Sequence, residues 1–375
     1  MSVFLFMGYL FYAMNKIKLK EVFKRMNKTF KKSLLLIMLA VLISISLLAC
    51  GSKAYTEDNQ QEVPKVNPTV EVGNEEGSET PVPENTPAVT NESKYPPLEG
   101  INEEKVKAKG LYLTATSAGA RLDHYIELAN TTEINSYVID VKNDYGNVCF
   151  DSEVPLAKEI GAIDKRFDID KVIKQLHDNN IYAIARIVCF KDPILANKKP
   201  EMAIKNLQGG LYVHNKMNWV NPYSEEAWQY NIDLAREVLK KGFDEVQFDY
   251  IRFPDGKKSE MVFEGKDDRQ YYEVINSFLS YAREQLPNAI LSGDVFAIIL
   301  ESPGDTEGIG QYFEYVGKDL DYLYPMAYPS HYANGQIING VKFPKPDLDP
   351  YGIIKNTLLK AKARYEKVEG HKPII

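Results

Sequence analysis

The 375-residue chain is poor in the residues that build metal and thiol chemistry. Its five histidines, His124, His177, His214, His331 and His371, include no pair at metal-ligand spacing, which argues against a zinc hydrolase or a metal-dependent deacetylase. Three cysteines are too few for a disulfide scaffold, and Cys149 and Cys189 read as two separate thiols. No Gly-x-Ser-x-Gly elbow supports a serine esterase, and no loop matches an EF-hand. Residues 114–119 lack the glycine spacing that binds phosphate in a doubly wound sheet. Basic excess is missing as well. The net charge is −7, and from Val106 onward 39 acidic residues face 33 basic ones. With no basic stripe to neutralise phosphates, nucleic acid is excluded as a partner. Neither a metal nor any other cofactor is expected.

What is present at the front has the pattern of an export signal. Residues 1–32 carry eight Lys or Arg against one Glu, and residues 34–49 are almost wholly apolar, ending Leu47-Leu48-Ala49-Cys50-Gly51. Leu-Leu-Ala-Cys followed by Gly-Ser resembles the bacterial lipoprotein signal. That resemblance implies cleavage before Cys50, lipidation of its thiol and tethering to the extracellular face of the cell membrane. The competing reading is an uncleaved anchor, although the apolar run is shorter than the ~20 residues that span a bilayer. Residues 51–105 hold twelve acids and four lysines, rich in Pro and Thr, with no sustained apolar period. Such a segment buries too little apolar surface to offset its chain entropy and is expected to be a disordered, charge-extended tether. The expected organisation is therefore 1–49 signal, 50–105 tether and 106–375 folded domain.

From residue 107 onward, short β-type runs alternate with helical patterns, the signature of a parallel α/β fold. Strands are expected at 110–114, 136–141, 181–190, 245–249, 289–295 and 321–326. Helices are expected at 121–129, 169–179, 224–241, 269–285 and 311–317. Five strand–helix units and a sixth strand predict a (β/α)8 TIM barrel. A Pro-rich loop, a helix at 353–366 and the run His371-Lys372-Pro373-Ile374-Ile375 follow. That run looks like the first residues of a seventh strand, so the expected barrel is truncated at the start of strand 7.

The strand tips carry the chemistry. In Phe243-Asp244-Glu245-Val246-Gln247-Phe248-Asp249, a period of two sends Val246 and Phe248 to one face, Gln247 and Asp249 to the other. Polar groups on the inner face are costly except at an open end, so Asp249 is expected at the catalytic mouth. The bland alternative is an acid that caps a helix or pairs with Arg252. Asp140 and Lys142 share a face at the end of the second strand. Arg186 stands in an otherwise apolar third strand, an unusual place for a charge without a partner. Asp294 closes the fifth strand, and Tyr328 and His331 follow the sixth. Together these ends predict an acidic, aromatic-lined cleft, with Tyr112, Trp219, Tyr250, Tyr324 and Tyr332 offering further flat faces for sugar rings.

Two carboxyls on neighbouring strands suit glycoside hydrolysis. Strands lie ~4.8 Å apart, so Asp249 and Asp294 are expected near the ~5–5.5 Å separation of a retaining enzyme. Pairing of Asp249 with Asp140 across the barrel would instead favour inversion. Arg252, Arg186 and Lys142 would hold one carboxylate charged while a more buried partner keeps its proton.

The ordered segments Lys142-Asn143-Asp144-Tyr145-Gly146, Ala185-Arg186-Ile187-Val188, Phe248-Asp249-Tyr250-Ile251-Arg252-Phe253-Pro254, Gly293-Asp294-Val295-Phe296 and Tyr324-Pro325-Met326-Ala327-Tyr328-Pro329-Ser330-His331-Tyr332 resemble a bacterial family of glycoside hydrolase domains. The family is assigned a TIM barrel distantly similar to the α-amylase-type hydrolases. The resemblance implies a polysaccharide or oligosaccharide substrate, with Asp249 at the nucleophile position and Asp294 where the acid/base follows the fifth strand. Asp140, Lys142, Arg186, Arg252, Tyr328 and His331 are the expected substrate-binding set. The sequence departs from the amylase pattern in having Asp rather than Glu at 294 and in placing Arg252 after the nucleophile candidate. The alternative expectation is a non-catalytic carbohydrate- or cell-wall-binding lipoprotein with a degenerate site.

Overall fold

Residues 95–375 are described by a computed structural model. The expected signal, Cys50 and most of the expected tether lie outside them. Six strands pair in chain order, all parallel: β1 (Gly110–Leu113), β2 (Ser136–Lys142), β3 (Tyr182–Val188), β4 (Glu245–Asp249), β5 (Leu291–Phe296) and β6 (Tyr322–Met326). The sheet curls into an open half-barrel, and the expected strands are all there. At its β6 edge Ile374 bridges Tyr322 in parallel, taking a hydrogen bond from Leu323 N and giving one to Asp321 O. This single bridge falls within the run 371–375 expected as the first residues of a seventh strand.

The connections are helices whose ends follow local chemistry: α1 (Leu122–Thr131), α2 (Ile169–Asp178), α3 (Glu225–Lys240), α4 (Tyr271–Gln285) and α5 (Phe313–Val316). Asp168 caps α2 by accepting from Lys171 N, and Ile169, Val172, Ile173 and Leu176 bury one stripe at i, i+3, i+4 and i+7. Ser224 caps α3, and Gln270 with Glu273 forms a capping box on α4. Gly242 ends the α3 connection at a φ of 103°, and a Cβ there would meet Ile173 Cγ2 at 2.8 Å. A side chain at this turn would therefore push α2 away. The helix expected at 311–317 shrinks to the single turn α5, and an extra turn, Ala115–Ala120, precedes α1. After β6 the Pro-rich segment builds a small ribbon, Gln336–Ile338 against Val341–Phe343, across an Asn339-Gly340 turn with both φ positive. The helix α6 (Pro350–Tyr365) follows, capped by Asp349.

The expected tether boundary at 105 is corrected. Leu98 and Ile101 pack against the main core, Asn102 donates to Asp244, Leu98 N donates to Asn288 and Lys105 pairs with Asp321. These partners sit at the N-terminal ends of β4 to β6, so this stretch forms a strap beneath the half-barrel. Two apolar residues in a polar run were too sparse to show a period.

Candidate active site

The inner face of the sheet encloses a cavity of about 570 Å³. Alternate residues of each strand line it: Gly110 and Tyr112, Ser136 and Val138, Ile184 and Arg186, Gln247 and Asp249, Asp294 and Phe296, Tyr324 and Met326. Val246 and Phe248 point the other way into the core. The period of two in β4 therefore works as expected.

One cation organises the mouth. Arg186 on β3 donates from Nε and Nη2 to Asp249 Oδ2 at 2.9 and 2.5 Å, from Nη1 to Asp140 Oδ1 at 2.7 Å and from Nη1 and Nη2 to Asp144 Oδ2, both at 3.2 Å. Burial works against the guanidinium charge, but Asp249, Asp140 and Asp144 outweigh it and raise its pKa. Tyr112 donates to Asp140 at 2.6 Å. Burial lifts the Asp140 carboxyl above its usual range despite Arg186 and Tyr112. Asp144 goes the other way: burial would raise it, yet Arg186 and Lys191 hold it low.

The second carboxyl differs in kind. Asp294 on β5 is buried and lies close enough to feel the Asp249 carboxyl. Burial first, and then the neighbouring Asp249 charge, push its pKa well above its ordinary value, which favours the protonated form. Phe248 and Gly293 are register partners, which sets the two tips side by side. A Cβ at Gly293 would come within 2.8 Å of Ile251 Cδ1 and of Leu320 Cδ1, so those side-chain ends would have to shift to admit one. Below the mouth, on the same inner face of β4, lies Glu245. It is fully buried and receives Tyr182 and Tyr324 hydroxyls at 3.3 and 3.2 Å. Burial pushes its pKa up to about 7 against those hydrogen bonds.

Beyond Asp249 the backbone turns sharply. Tyr250 has a φ of 51°, a left-handed conformation that is costly for a large aromatic. Its hydroxyl receives a 3.0 Å hydrogen bond from Lys191, which also bonds Asp144. Arg252 lines the cavity and lies over the rings of Trp219, Tyr250 and Phe296 at 4.9, 5.0 and 4.4 Å. It does not bond Asp249; Nη1 reaches Phe253 O and, at 3.5 Å, Asp255.

The expected site residues thus divide. Asp140, Arg186, Asp249, Asp294, Arg252 and Tyr328 gather at one mouth. Lys142 does not. A register shift between Asp140 and Lys142 pairs Asp140 with Arg186 and Lys142 with Ile187, so Lys142 turns to the helix-covered face. There it is wholly buried, with Asp192 at 2.7 Å, Asn231 at 3.0 Å and the Tyr230 ring beneath it. His331 is exposed and stacks edge-on against Tyr328 at 5.1 Å, outside the cavity lining. Tyr332 packs on the small cluster of Ile338, Phe343 and Ile353. Lys191, Phe296 and Glu245 were not singled out in the sequence. Lys191 had a usable signal, its place in the loop just past the C-terminal end of a barrel strand. Among the described residues no group of three or more His, Cys, Asp or Glu is arranged to hold a metal ion. Cys149 and Cys189 are separate, buried thiols.

A curled parallel sheet with carboxyls at its C-terminal tips and an aromatic-walled cavity is the architecture of the TIM-barrel glycoside hydrolases. Residues 110–375 match the family described as "Putative glycosyl hydrolase domain", and the chain belongs to it. A crystal structure of a hypothetical protein from Ruminiclostridium thermocellum ATCC 27405 is 51% identical, with a TM-score of 0.46, over 49% of this chain and 97% of that one. The PgaB (BpsB) glycoside hydrolase domain from Bordetella bronchiseptica shares the fold at a TM-score of 0.51 and 11% identity, over 69% of this chain and 81% of that one. The α-galactosidase TtGalA from Thermus thermophilus has a TM-score of 0.40 at 13% identity; the match spans 61% of this chain and 44% of the galactosidase. No curated protein matches the chain.

Proposed function

We propose that this protein is a glycosidase that cleaves a polysaccharide or oligosaccharide with Asp249 as nucleophile and Asp294 as acid/base. The observation that carries the reading is the inequality of the two carboxyls: Arg186 bonds Asp249 twice and does not bond Asp294, whose pKa burial and the Asp249 charge push up. In the first step Asp249 forms a bond to the anomeric carbon as the glycosidic C–O bond breaks, and Asp294 gives its proton to the leaving oxygen. Water then attacks the glycosyl ester while Asp294 takes back a proton, which releases Asp249. Asp249 and Asp294 end neighbouring strands, which lie ~4.8 Å apart, nearer the ~5–5.5 Å of a retaining pair than the ~6.5–9.5 Å of an inverting one, so retention is favoured.

The test is reducing-sugar release from a glycan panel, with proton NMR of the first-formed anomer. Asp249→Asn and Asp294→Asn should each lower kcat by about 10³-fold or more. Equal release by the double variant would refute the assignment. Glycan binding without turnover by the parent would support instead the non-catalytic carbohydrate- or wall-binding alternative.

The same proposal places the domain outside the cell, held to the membrane by lipid on Cys50, on the strength of the basic, apolar and Leu-Leu-Ala-Cys segments. Metabolic labelling with a fatty acid should mark the parent and not Cys50→Ser. Label retained by the variant would remove the anchor from the proposal.

A further inference from the structure

The cations of the mouth are unequally matched. Arg186 meets three carboxylates, and Lys191 meets Asp144 and the Tyr250 hydroxyl. Arg252, equally buried, has one hydrogen bond to a backbone carbonyl and a 3.5 Å approach to Asp255. Asp255 is half-exposed and is itself engaged by His214 at 2.7 Å. Among the described residues, neither Nε nor Nη2 of Arg252 meets an acceptor. Three rings hold the guanidinium in place, which leaves its hydrogen-bonding edge as the only part that can take a partner. A buried cation with spare donors is costly unless something anionic arrives to use them. Its planar fork matches a carboxylate in the bidentate manner.

We propose that Arg252 is a specificity-determining residue that receives the carboxylate of an acidic sugar, so that the substrate is an anionic glycan. This rests on the glycosidase reading for the purpose of the site but concerns binding alone. Asp249 and Arg252 leave the same strand end and both line the cavity, so the acid group would be carried by the sugar at the reacting bond or its immediate neighbour. The acid could be a ring carboxyl, as in a uronic acid, or a carboxyl on an ether side chain, as in a lactyl-substituted amino sugar. Both offer the same carboxylate to the fork.

The experiment measures binding by calorimetry or ligand-observed NMR to the Asp249→Asn protein, which keeps turnover out of the reading. Two matched pairs serve as probes: methyl glucuronide against methyl glucoside, and N-acetylmuramic acid against N-acetylglucosamine. In at least one pair the acid should bind about ten-fold more tightly than its neutral counterpart, and the pair that discriminates identifies the source of the carboxylate. Arg252→Gln in the same background should abolish that preference, and Arg252→Lys should keep part of it. If Arg252 only braced the Phe253–Asp255 turn, Arg252→Gln would weaken acid and neutral sugars alike. Absence of preference in both pairs, absence of binding by all four probes, or a preference that survives Arg252→Gln overturns the proposal. Should Arg252→Gln fail to fold, the parent's discrimination and the Arg252→Lys result still decide it. An acid preference with no hydrolysis of any glycan would leave this inference standing while the glycosidase reading fell.

Discussion

Glu245 is bonded by two tyrosine hydroxyls inside the half-barrel, and burial lifts its pKa from the ordinary 4.5 to about 7. Below pH 4.5 it is protonated both folded and unfolded and contributes nothing to pH dependence. Between about 4.5 and 7 the unfolded chain releases the proton that the fold retains, so stability falls as pH rises, by about 3 kcal/mol once both states are ionised. Glu245→Gln should therefore raise the melting temperature at about pH 8 and leave it nearly unchanged at about pH 4, as read by calorimetry. Asp294 follows the same sign, and as the proposed acid/base it would also set a kinetic limit. Its raised pKa should place the alkaline limb of the pH–rate profile well above the ordinary carboxylate range. In Asp294→Asn that limb should vanish, with the larger loss on substrates whose leaving group needs a proton. An unchanged limb would assign it to another group.

At the scale of elements, β2 shows where sequence reading stops. Its strand character is plain from residues 136–141, but the shift after Asp140 that turns Lys142 outward lies in pairing with β3, which no local pattern reports. Lys142 and Asp192 are a wholly buried ion pair, so Lys142→Met should cost about 3–5 kcal/mol by stranding a carboxylate, detectable by denaturant unfolding. Neutral-glycan affinity should be unaffected, since the side chain does not reach the cavity. The six strands and most helices were legible because apolar period, caps and Gly242 are local signals. The charge of Arg186 in an apolar strand also announced a partner. Its three acids come from β2, the loop after it and β4, a meeting made by topology alone. The isolated apolar pair Leu98 and Ile101 was illegible for a similar reason: its significance lies in what it packs against.

For the molecule as a whole, the strap fixes the underside of the half-barrel. Leu98→Ala with Ile101→Ala should cost about 1–3 kcal/mol for partly buried side chains and lower the thermal midpoint without changing sugar affinity, because the cavity mouth is at the other end of the strands. A loss of affinity at constant stability would contradict that separation. The Arg186 cluster has a different whole-molecule consequence, in the order of events during folding. Asp140 and Asp249 are separated by more than a hundred residues and meet on one guanidinium only after β2, β3 and β4 have docked. Contacts of that sequence distance form late. A partly folded chain would hold strands and helices yet lack the paired acids, so recovery of sugar binding during refolding should lag behind recovery of secondary structure.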